Sequence, residues 1–465
     1  MSGPAPAQAA TPGDSAQDPY DRLRHLPLGT HVALRHPSGR RLAGWLLPPD
    51  SLSSARVVKL KLSSGYNIGV RIEPGTTFEV LPGPPFGAEA TDAAPGNGQG
   101  APRPAEDPIA GTVALLTTGG TIASRIDYTT GGVHPVKEPG NLEALYPGIT
   151  SGGPIHVRSV AEILSEDMTP AVWTRLAEEV VRELHRGVRG VVVAMGTDTL
   201  AYTAAALAFQ LRDLTGPVVL VGAQRSIDRP SSDGVDNILG AVRVARQADL
   251  GEVVVVMHAT PSDEQLAIHR GTRVRKMHST RRDAFRTLNG RPLGMLVGEE
   301  LRLESGHRPR GTGPARAEAG FSDAGELVWM YPGLSASTAE ACATRARGII
   351  LAGTGMGHLA ADHLPWIRRA TERGVVVGMA TQCLEGEVDP FVYSRGRELL
   401  QAGVAFLGDI SPETAFVKLQ WALARSTDPS VVRRLLVDDL CGEFGPARGL
   451  GTKKSAPDAG KEGIA

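Results

Sequence analysis

The pattern of hydrophobic and polar positions divides the chain into regions with different periods. Between Tyr20 and Leu81, short β-like runs alternate with turns such as HPSGR, PPDS, SSG and EPGT; the runs are HVALRH, RLAGWLL, RVVKLKLS, YNIGVRI and TFEVL. Short strands separated by Gly, Pro and Ser turns are typical of antiparallel β-structure. We therefore predict a small antiparallel β-barrel over residues 20–82.

From residue 109 the pattern changes to apolar strands that alternate with helical segments. The strands are VALLTTGG, VRGVVVAMG, PVVLVGAQ and EVVVVMHA, and the first three each lead towards a helix. This alternation predicts a parallel sheet covered by helices. A helix is expected over 169–187, where Thr169 can cap it and Pro170 suits its first turn. Its apolar residues recur four apart, at Val172, Leu176, Val180 and Leu184.

Segments without such a pattern separate the predicted units. Residues 1–19 and 448–465 are predicted to be disordered tails, because they lack enough apolar residues to form a core. Residues 83–108 form a Pro/Gly/Ala linker, and residues 304–325 contain a second polar linker. Between them we place one α/β domain at 109–303, and after them another at 326–447.

Composition and charge narrow the functional class. The 49 basic residues balance the 50 acidic ones, so the chain as a whole has no field that attracts phosphates or a membrane. Residues 21–85 carry nine basic residues against four acidic ones. Three widely spaced cysteines fit a reducing cytosol, and we expect neither a signal peptide nor a membrane span.

Two threonines follow the ends of predicted parallel strands, which is where such sheets bind ligands. Gly119-Gly120-Thr121 follows the first strand of the sheet, although a glycine turn with an incidental threonine would look the same. Gly196-Thr197-Asp198-Thr199 precedes a helix that begins near Leu200. A helix N-terminus favours a carboxylate or an oxyanion, but Thr197 or Asp198 could equally be a simple N-cap.

A basic run, RVRKMHST, precedes Asp283-Ala284-Phe285. Such a run is usually a solvated face. A partly desolvated lysine held by an aspartate can instead act as a base, and a threonine nucleophile needs such a partner at neutral pH.

Five ordered motifs resemble those of the L-asparaginase/glutaminase family over roughly residues 110–445. They are GGTIAS, SEDM, MGTDTLAYTAAAL, GAQRSIDRPSSDG and KMHSTRRDAF, and five motifs in order are more specific than one. The resemblance implies a two-domain α/β fold with parallel sheets. It also implies that Thr121 or Thr197 forms the acyl-enzyme, and we favour Thr121 as the nucleophile, assisted by Tyr128. Thr197, Asp198 and Lys276 complete the catalytic set.

The same resemblance implies the substrate contacts. Ser165, Glu166 and Asp198 match positions that bind the α-carboxylate and α-amino groups, and Gly120 lies next to the nucleophile. Where the best-known enzymes carry glutamine, this chain carries Glu166. The loop 353–358, GTGMGH, matches a loop that a neighbouring subunit adds to the site, which implies a homodimer.

The N-terminal extension resembles the D-type family of archaeal-type glutamyl-tRNA(Gln) amidotransferase subunits. This resemblance implies hydrolysis of L-glutamine and an α2β2 assembly with an E-type partner. The partner would bind tRNA(Gln) and use ATP and Mg²⁺, whereas we expect no metal and no cofactor in this chain.

Two other functions remain open at this point. A free cytosolic asparaginase with an appended barrel would share every catalytic motif. An RNA-binding or scaffold protein with an inactive asparaginase fold would use the basic residues of 21–85, although the complete catalytic set argues against it. Cys383 is interpreted as a packed thiol because no histidine partner is placed beside it, and His258 and His278 lack metal-ligand spacing.

Overall fold

The computed structural model describes residues 18–48, 56–62, 67–82, 110–119, 124–126, 133–135, 146–225, 231–318 and 320–445. Gly120, Thr121 and Tyr128 lie outside these ranges, as do almost all of both predicted tails and the whole linker at 83–108. The chain divides into two compact units.

The N-terminal unit is built on an antiparallel sheet. Helix α1 (Pro19–Arg24) precedes β1 (His31–Arg35), β2 (Arg41–Leu46), β3 (Val57–Leu62), β4 (Asn67–Arg71) and β5 (Thr77–Val80). The strand order is β4-β3-β2-β1-β5, and within the described ranges β4 and β5 do not pair with each other. Alternate residues of the strands, including Val32, Leu34, Leu46 and Leu60, form one buried core. The predicted antiparallel fold of this unit is therefore confirmed as a five-stranded sheet, while its closure into a barrel stays a prediction.

An eight-stranded sheet forms the centre of the larger unit. Its first strand is β6 (Val113–Thr117), which is followed along the chain by a separate hairpin, β7 (Ser124–Ile126) and β8 (Val133–Pro135), that belongs to the N-terminal unit. Next come β9 (Ile155–Ser159), β10 (Gly190–Ala194), β11 (Leu211–Arg212), β12 (Val218–Val221) and β13 (Val253–His258). The chain continues through β14 (Gln265–Arg270), β15 (Val274–Lys276), β16 (Phe285–Thr287), β17 (Gly294–Val297) and β18 (Glu300–Leu303).

Only part of this sheet is parallel. Its strands lie in the order β18-β17-β14-β13-β12-β10-β6-β9. Strands β6, β10, β12 and β13 are parallel, as predicted, and β9 adds a further parallel strand beside β6 that was not predicted. Strands β14, β17 and β18 add an antiparallel extension. The sequence pattern missed this extension because β14 follows β13 after a short turn, with no helix between them. Short turns join antiparallel strands, while parallel strands need a longer crossover.

Among the described residues, three helices cover this sheet: α2 (Pro170–His185), α3 (Leu200–Gln210) and α4 (Gly234–Gln247). Helix α2 was predicted, and Leu176, Val180 and Leu184 of its apolar ladder are buried. Thr169 occupies the N-cap position, but its side chain makes no capping hydrogen bond.

A four-stranded parallel sheet, in the order β20-β21-β22-β23, forms the second α/β region. After β19 (Arg316–Ala317) come β20 (Gly325–Trp329), α5 (Ala336–Arg345), β21 (Gly348–Gly353), α6 (Leu364–Glu372), β22 (Val376–Thr381), α7 (Ser394–Gln401), β23 (Ala405–Phe406), α8 (Pro412–Arg425) and α9 (Pro429–Val437). The two α/β regions belong to one compact unit, and α3 packs against α8.

The connection between the two α/β regions is tied to the first of them. Strand β19 pairs with β11, and the amide of Gly311 donates to the carbonyl of Leu214 at 2.6 Å. No helix within the described ranges is long and apolar enough to cross a membrane.

Candidate active site

The site lies at the carboxyl ends of β6 and β10, which are neighbours in the parallel part of the sheet. Gly119 follows β6 with a positive φ of 98°. A Cβ at Gly119 would lie only 2.5 Å from the carbonyl oxygen of Ile163, so a residue with a side chain does not fit there. The first glycine of the GGT motif therefore has a structural reason, while Thr121 itself lies beyond the described range.

Lys276 joins Thr197 and Asp198, as the family resemblance implied. Its Nζ atom donates to Oγ1 of Thr197 at 2.8 Å and to Oδ1 of Asp198 at 2.6 Å. Thr197 and Asp198 follow β10, and Lys276 ends β15. The structure thus brings together three polar groups from two distant parts of the sequence.

Exposure and charge differ sharply within this group. The Lys276 side chain is 14% exposed, whereas that of Asp198 is 68% exposed. The hydrogen bond from Lys276 holds the pKa of Asp198 below its ordinary value, and this effect outweighs the opposing effect of partial burial. Asp198 therefore stays ionised and anchors the amine beside the hydroxyl of Thr197.

Ser165 adds a third segment to the site. It begins the short 3₁₀ turn Ser165–Asp167, and its hydroxyl donates to Oδ2 of Asp198 at 3.2 Å. Its hydroxyl also lies 3.4 Å from Oε2 of Glu166, which is exposed. Thr199 fixes this turn by donating from Oγ1 to the Ser165 carbonyl at 2.7 Å. Ser165, Glu166 and Asp198 thus form one polar cluster.

Two glycines let these segments approach each other. A Cβ at Gly196 would lie 2.7 Å from Cβ of Ser165, and a Cβ at Gly222 would lie 2.6 Å from Cγ2 of Thr197. Both distances are shorter than real side-chain contacts. The glycines of MGTDT and GAQRS are therefore required by close packing around Ser165 and Thr197.

The simpler interpretations of these motifs do not describe the structure. Thr199, rather than Thr197 or Asp198, occupies the N-cap position of α3, and it makes no capping hydrogen bond. The basic run is not a free solvated face either. Arg273 pairs with Asp409 and Arg275 pairs with Glu413, each at 2.8 Å.

The glycine-rich segment 353–358 begins at the last residue of β21 and forms a tight turn. Thr354 and His358 exchange backbone hydrogen bonds of 2.9 and 2.8 Å, while Gly355 and Gly357 have positive φ angles of 53° and 91°. Residues 354–356 are exposed. A role for this loop in a neighbouring subunit stays a prediction.

Two interpretations of single residues need correction. Cys383 is exposed rather than packed, because it lies in the turn after β22 ends. His258 does have two carboxylates nearby, since its Nε2 lies 3.8 Å from Asp236 and 3.8 Å from Asp263, but the Arg282 guanidinium lies among them. The spacing of these residues along the sequence did not predict this cluster. Within it, Arg282 donates to both His258 and Asp263.

Comparison with known proteins agrees with this geometry. Residues 112–308 match the family model "Asparaginase, N-terminal", and residues 326–436 match "Glutaminase/Asparaginase C-terminal domain". Residues 28–81 match "GatD N-terminal domain". The chain is 40% identical over 437 residues to the D-type subunit of the glutamyl-tRNA(Gln) amidotransferase of Saccharolobus islandicus (strain M.14.25 / Kamchatka #1), covering 93% of this chain and 96% of the relative.

The chain belongs to the D-type family of glutamyl-tRNA(Gln) amidotransferase subunits. The corresponding protein of Thermococcus kodakarensis is also similar, with 43% identity over 406 residues, 87% of this chain and 90% of that protein. The membership accounts for the N-terminal sheet unit, which the matching N-terminal domain model covers.

Solved structures relate the rest of this family member to asparaginases. The thermostable L-asparaginase from Thermococcus kodakarensis aligns with a TM-score of 0.65 and 31% identity, covering 72% of this chain and all 100% of that one. L-asparaginase I from Vibrio cholerae aligns with a TM-score of 0.63 and 28% identity, covering 72% of this chain and 99% of that one.

Proposed function

We propose that this chain is the glutaminase subunit of a glutamyl-tRNA(Gln) amidotransferase. The observation that carries the proposal is the position of the Lys276 amine, 2.8 Å from Oγ1 of Thr197 and 2.6 Å from Oδ1 of Asp198, beside the loop that follows β10, the neighbour of β6 in the sheet. This arrangement suits proton transfer in amide hydrolysis. The similarity to the amidotransferase proteins of Saccharolobus and Thermococcus supplies the biological context.

The proposed reaction has two halves. Thr121 Oγ attacks the side-chain amide carbon of L-glutamine, its proton passes through Thr197 and Lys276 or through Tyr128 to the leaving nitrogen, and ammonia departs. A glutamyl ester on Thr121 remains. Water then attacks this ester, its proton returns to the threonine oxygen, and glutamate is released. Lys276 must be neutral when it accepts a proton, and Asp198 keeps it in place through either state.

Substrate binding is assigned to the polar cluster beside this amine. Asp198 and Glu166 supply negative charge for the α-ammonium of glutamine, while the Ser165 hydroxyl suits the α-carboxylate. Backbone amides next to Thr121, with Gly120 before it, and next to Thr197 are candidate donors to the oxyanion. Glu166 adds a carboxylate where the best-known asparaginases have a neutral amide, which strengthens the hold on the α-ammonium.

The released ammonia would be the amino donor for a reaction in a partner subunit. We propose an E-type partner that binds tRNA(Gln), activates its glutamyl group with ATP and Mg²⁺, and accepts the ammonia in an α2β2 cytoplasmic assembly. Two copies of this chain would form the central homodimer, with the loop 353–358 of each completing the site of the other. This chain itself would hold no metal and no cofactor.

Covalent labelling tests the nucleophile directly. A glutamine analogue that carries a diazoketone in place of the amide alkylates the attacking oxygen, and peptide mapping then identifies the modified residue. We expect the label on Thr121 in the unmodified protein and no label in Thr121→Ala. Thr344→Ala, at an exposed threonine outside the site, is the control and should be labelled normally. A label on Thr197 in the unmodified protein would transfer the nucleophilic role to that threonine.

A further inference from the structure

A buried chain of hydrogen bonds lies behind the candidate site and contains none of its catalytic groups. His258, at the end of β13, is fully buried and has a partner on each ring nitrogen. Its Nδ1 lies 2.7 Å from Oδ1 of Asn237, and its Nε2 lies 2.9 Å from a terminal nitrogen of Arg282. Asn237 belongs to α4 and Arg282 to the loop between β15 and β16.

The donor and acceptor of each hydrogen bond in this series can be assigned, because a guanidinium only donates. A guanidinium can only donate, so Nε2 of His258 must be the acceptor and the single ring proton must be on Nδ1. Nδ1 therefore donates to the amide oxygen of Asn237. The amide nitrogen of Asn237 is then left to donate, and it does so to the Gly222 carbonyl at 3.0 Å and to Oδ2 of Asp233 at 2.9 Å.

Both ends of this series of hydrogen bonds reach segments that position catalytic groups. At one end is Gly222, whose Cα packs so closely on Thr197 that a Cβ would lie 2.6 Å from Cγ2 of the threonine. At the other end is Arg282, in the loop that leaves β15 immediately after Lys276 and is closed by the 2.6 Å bond from Met277 N to the Ala284 carbonyl. His258 therefore links the two sides of the Lys276–Thr197 contact.

Arg282 is itself buried, with a side chain 9% exposed. Besides His258 it donates to the carbonyl of Pro261 at 3.0 Å and to the carboxylate of Asp263, while Asp236 lies 3.9 Å away. The guanidinium thus occupies the position that a metal ion would need between Asp236, His258 and Asp263. Its fixed charge explains why these two carboxylates gather around a buried histidine.

We infer that His258 is a positioning residue. In its neutral Nδ1–H form it holds the Gly222 turn and the Arg282 loop at a fixed separation and so sets the Lys276–Thr197 distance. This inference rests on the proposed hydrolase function. A neutral ring is essential to it, because a proton on Nε2 would face the donors of Arg282 and add a second positive charge.

Several charged groups face the ring and determine when it gains a proton. Burial, followed by the charge of Arg282, lowers the pKa of His258, whereas Asp233, Asp236 and Asp283 oppose this shift. Asp263, 3.8 Å away, acts in the same sense as the other carboxylates. The net lowering keeps the ring neutral at pH 7. The hydrogen bond from Arg282 to His258 is lost as the pH falls through this lowered pKa, because Nε2 then carries a proton.

Two substitutions separate positioning from simple packing. In His258→Gln the side-chain oxygen reaches the position of Nε2 and still accepts from Arg282, but it cannot be protonated. In His258→Leu both hydrogen bonds are lost. We expect kcat for glutamine hydrolysis to fall on the order of tenfold to a hundredfold in His258→Leu with little change in KM, since a small misplacement of a catalytic group has this effect.

In His258→Gln the bond to Arg282 remains but the Nδ1–H bond to Asn237 is lost, so we expect a kcat at neutral pH between those of the unmodified protein and His258→Leu. We expect this kcat to persist further into acid than that of the unmodified protein. His25→Leu, at an exposed histidine of the N-terminal unit, is the matched control and should change neither value. An unchanged kcat in His258→Leu, or an unchanged acid limb in His258→Gln, would overturn the inference.

A spectroscopic measurement separates this inference from the proposed function. In protein labelled with ¹⁵N-histidine, the resonances that disappear in His258→Gln should show a protonated Nδ1 and an unprotonated Nε2 at neutral pH. The opposite tautomer, or a doubly protonated ring, would contradict the inference even if the enzyme is fully active. Absence of glutamine hydrolysis in the unmodified protein, with the expected tautomer present, would count against the proposed function instead.

Discussion

The Lys276 amine lies 2.8 Å from the hydroxyl oxygen of Thr197, across 79 positions of sequence. Asp198, next to that threonine, holds the same amine at 2.6 Å. A lysine and a threonine at this distance form a route for a proton, and the aspartate keeps the lysine from swinging into solvent. The arrangement depends on the loop after β10 and on β15, which pairs with β16 in a separate two-stranded sheet, so it is sensitive to small changes in either.

Removal of the lysine or of the proposed nucleophile should abolish turnover without unfolding the protein. Lys276→Ala removes the amine, and Thr121→Ala removes the attacking oxygen. We expect each to lower kcat for glutamine by at least about a thousandfold, within the range known for loss of a catalytic base or nucleophile. Ammonia release and a thermal unfolding scan measure both properties. Near-normal turnover in either variant would contradict the catalytic role assigned to that residue.

A single methyl group at Gly222 should disturb the contact between Lys276 and Thr197, because Gly222 packs against Thr197. Gly222→Ala places a Cβ 2.6 Å from Cγ2 of Thr197, so the threonine must shift from its position beside Lys276. We expect kcat to fall on the order of tenfold or more, because catalytic geometry tolerates little displacement. Gly313→Ala is the control, since a Cβ there meets nothing within 4 Å. Equal kcat values for the two variants would contradict the expected packing effect.

Gly196→Ala should act on substrate binding instead. Its Cβ would lie 2.7 Å from Cβ of Ser165, whose hydroxyl is assigned to the substrate α-carboxylate. We expect KM for glutamine to rise more than kcat falls, which is the reverse of the Gly222→Ala result. Steady-state kinetics over a range of glutamine concentrations gives both values. A pure kcat effect would show that Ser165 does not bind the ground-state substrate.

The C-terminal segment is secured by a buried ion pair. Nζ of Lys418 lies 2.6 Å from Oε1 of Glu443, both side chains are 0% exposed, and the same amine donates to the carbonyl of Leu436 at 2.9 Å. Loss of one partner of a buried pair typically costs about 3–5 kcal/mol. We expect Lys418→Met to lower the free energy of unfolding by this amount. Denaturant unfolding measures it.

The double variant Lys418→Met with Glu443→Gln provides the control for this pair. Glutamine keeps an acceptor for the amides of Leu440 and Cys441, to which Glu443 is bound, but carries no charge. We expect the double variant to be more stable than Lys418→Met alone, because no unpaired buried charge remains. A double variant that loses the sum of both single effects would show that the two side chains act independently.

Acid should destabilise the fold through His269. This residue is 2% exposed, its Nδ1 lies 2.8 Å from Oγ1 of Thr287, and burial, with a smaller effect of Arg286, lowers its pKa to about 3. Since the unfolded chain binds the proton at about pH 6.5, the folded state loses stability as the pH falls from there towards 3. One proton contributes at most about 1.4 kcal/mol per pH unit.

The variant His269→Gln should reduce this dependence. We expect its unfolding free energy to change less steeply between about pH 6.5 and 5 than that of the unmodified protein, as measured by urea denaturation at several pH values. His25→Gln, at an exposed histidine, should leave the slope unchanged. An identical slope in His269→Gln would show that the folded protein already accommodates the charged ring.

Local patterns were enough to predict the elements that carry the site. The apolar strand before Gly196 and the helix after Thr199 are where periodicity placed them, and the ladder of α2 is buried at Leu176, Val180 and Leu184. The pairing of Lys276 with Asp198 was also predicted, but from ordered motifs rather than from periodicity. The similarity to known amidotransferase proteins bears out the family on which that prediction depended.

What the sequence could not show depends on tertiary packing. The cluster of His258, Asp236, Asp263 and Arg282 joins a strand end, a helix and two loops, and no spacing rule connects such positions. The antiparallel strands after β13 follow from turn lengths rather than from apolar period. The exposed position of Cys383 likewise depends on where β22 ends.

The most direct test is ammonia release from L-glutamine and from L-asparagine, measured with the purified chain alone and then with its E-type partner, ATP, Mg²⁺ and glutamyl-tRNA(Gln). We expect glutamine to be the preferred substrate, with its hydrolysis stimulated by the partner and the charged tRNA. Fast hydrolysis of asparagine that does not depend on the partner would contradict the amidotransferase function and indicate an asparaginase with an added N-terminal sheet.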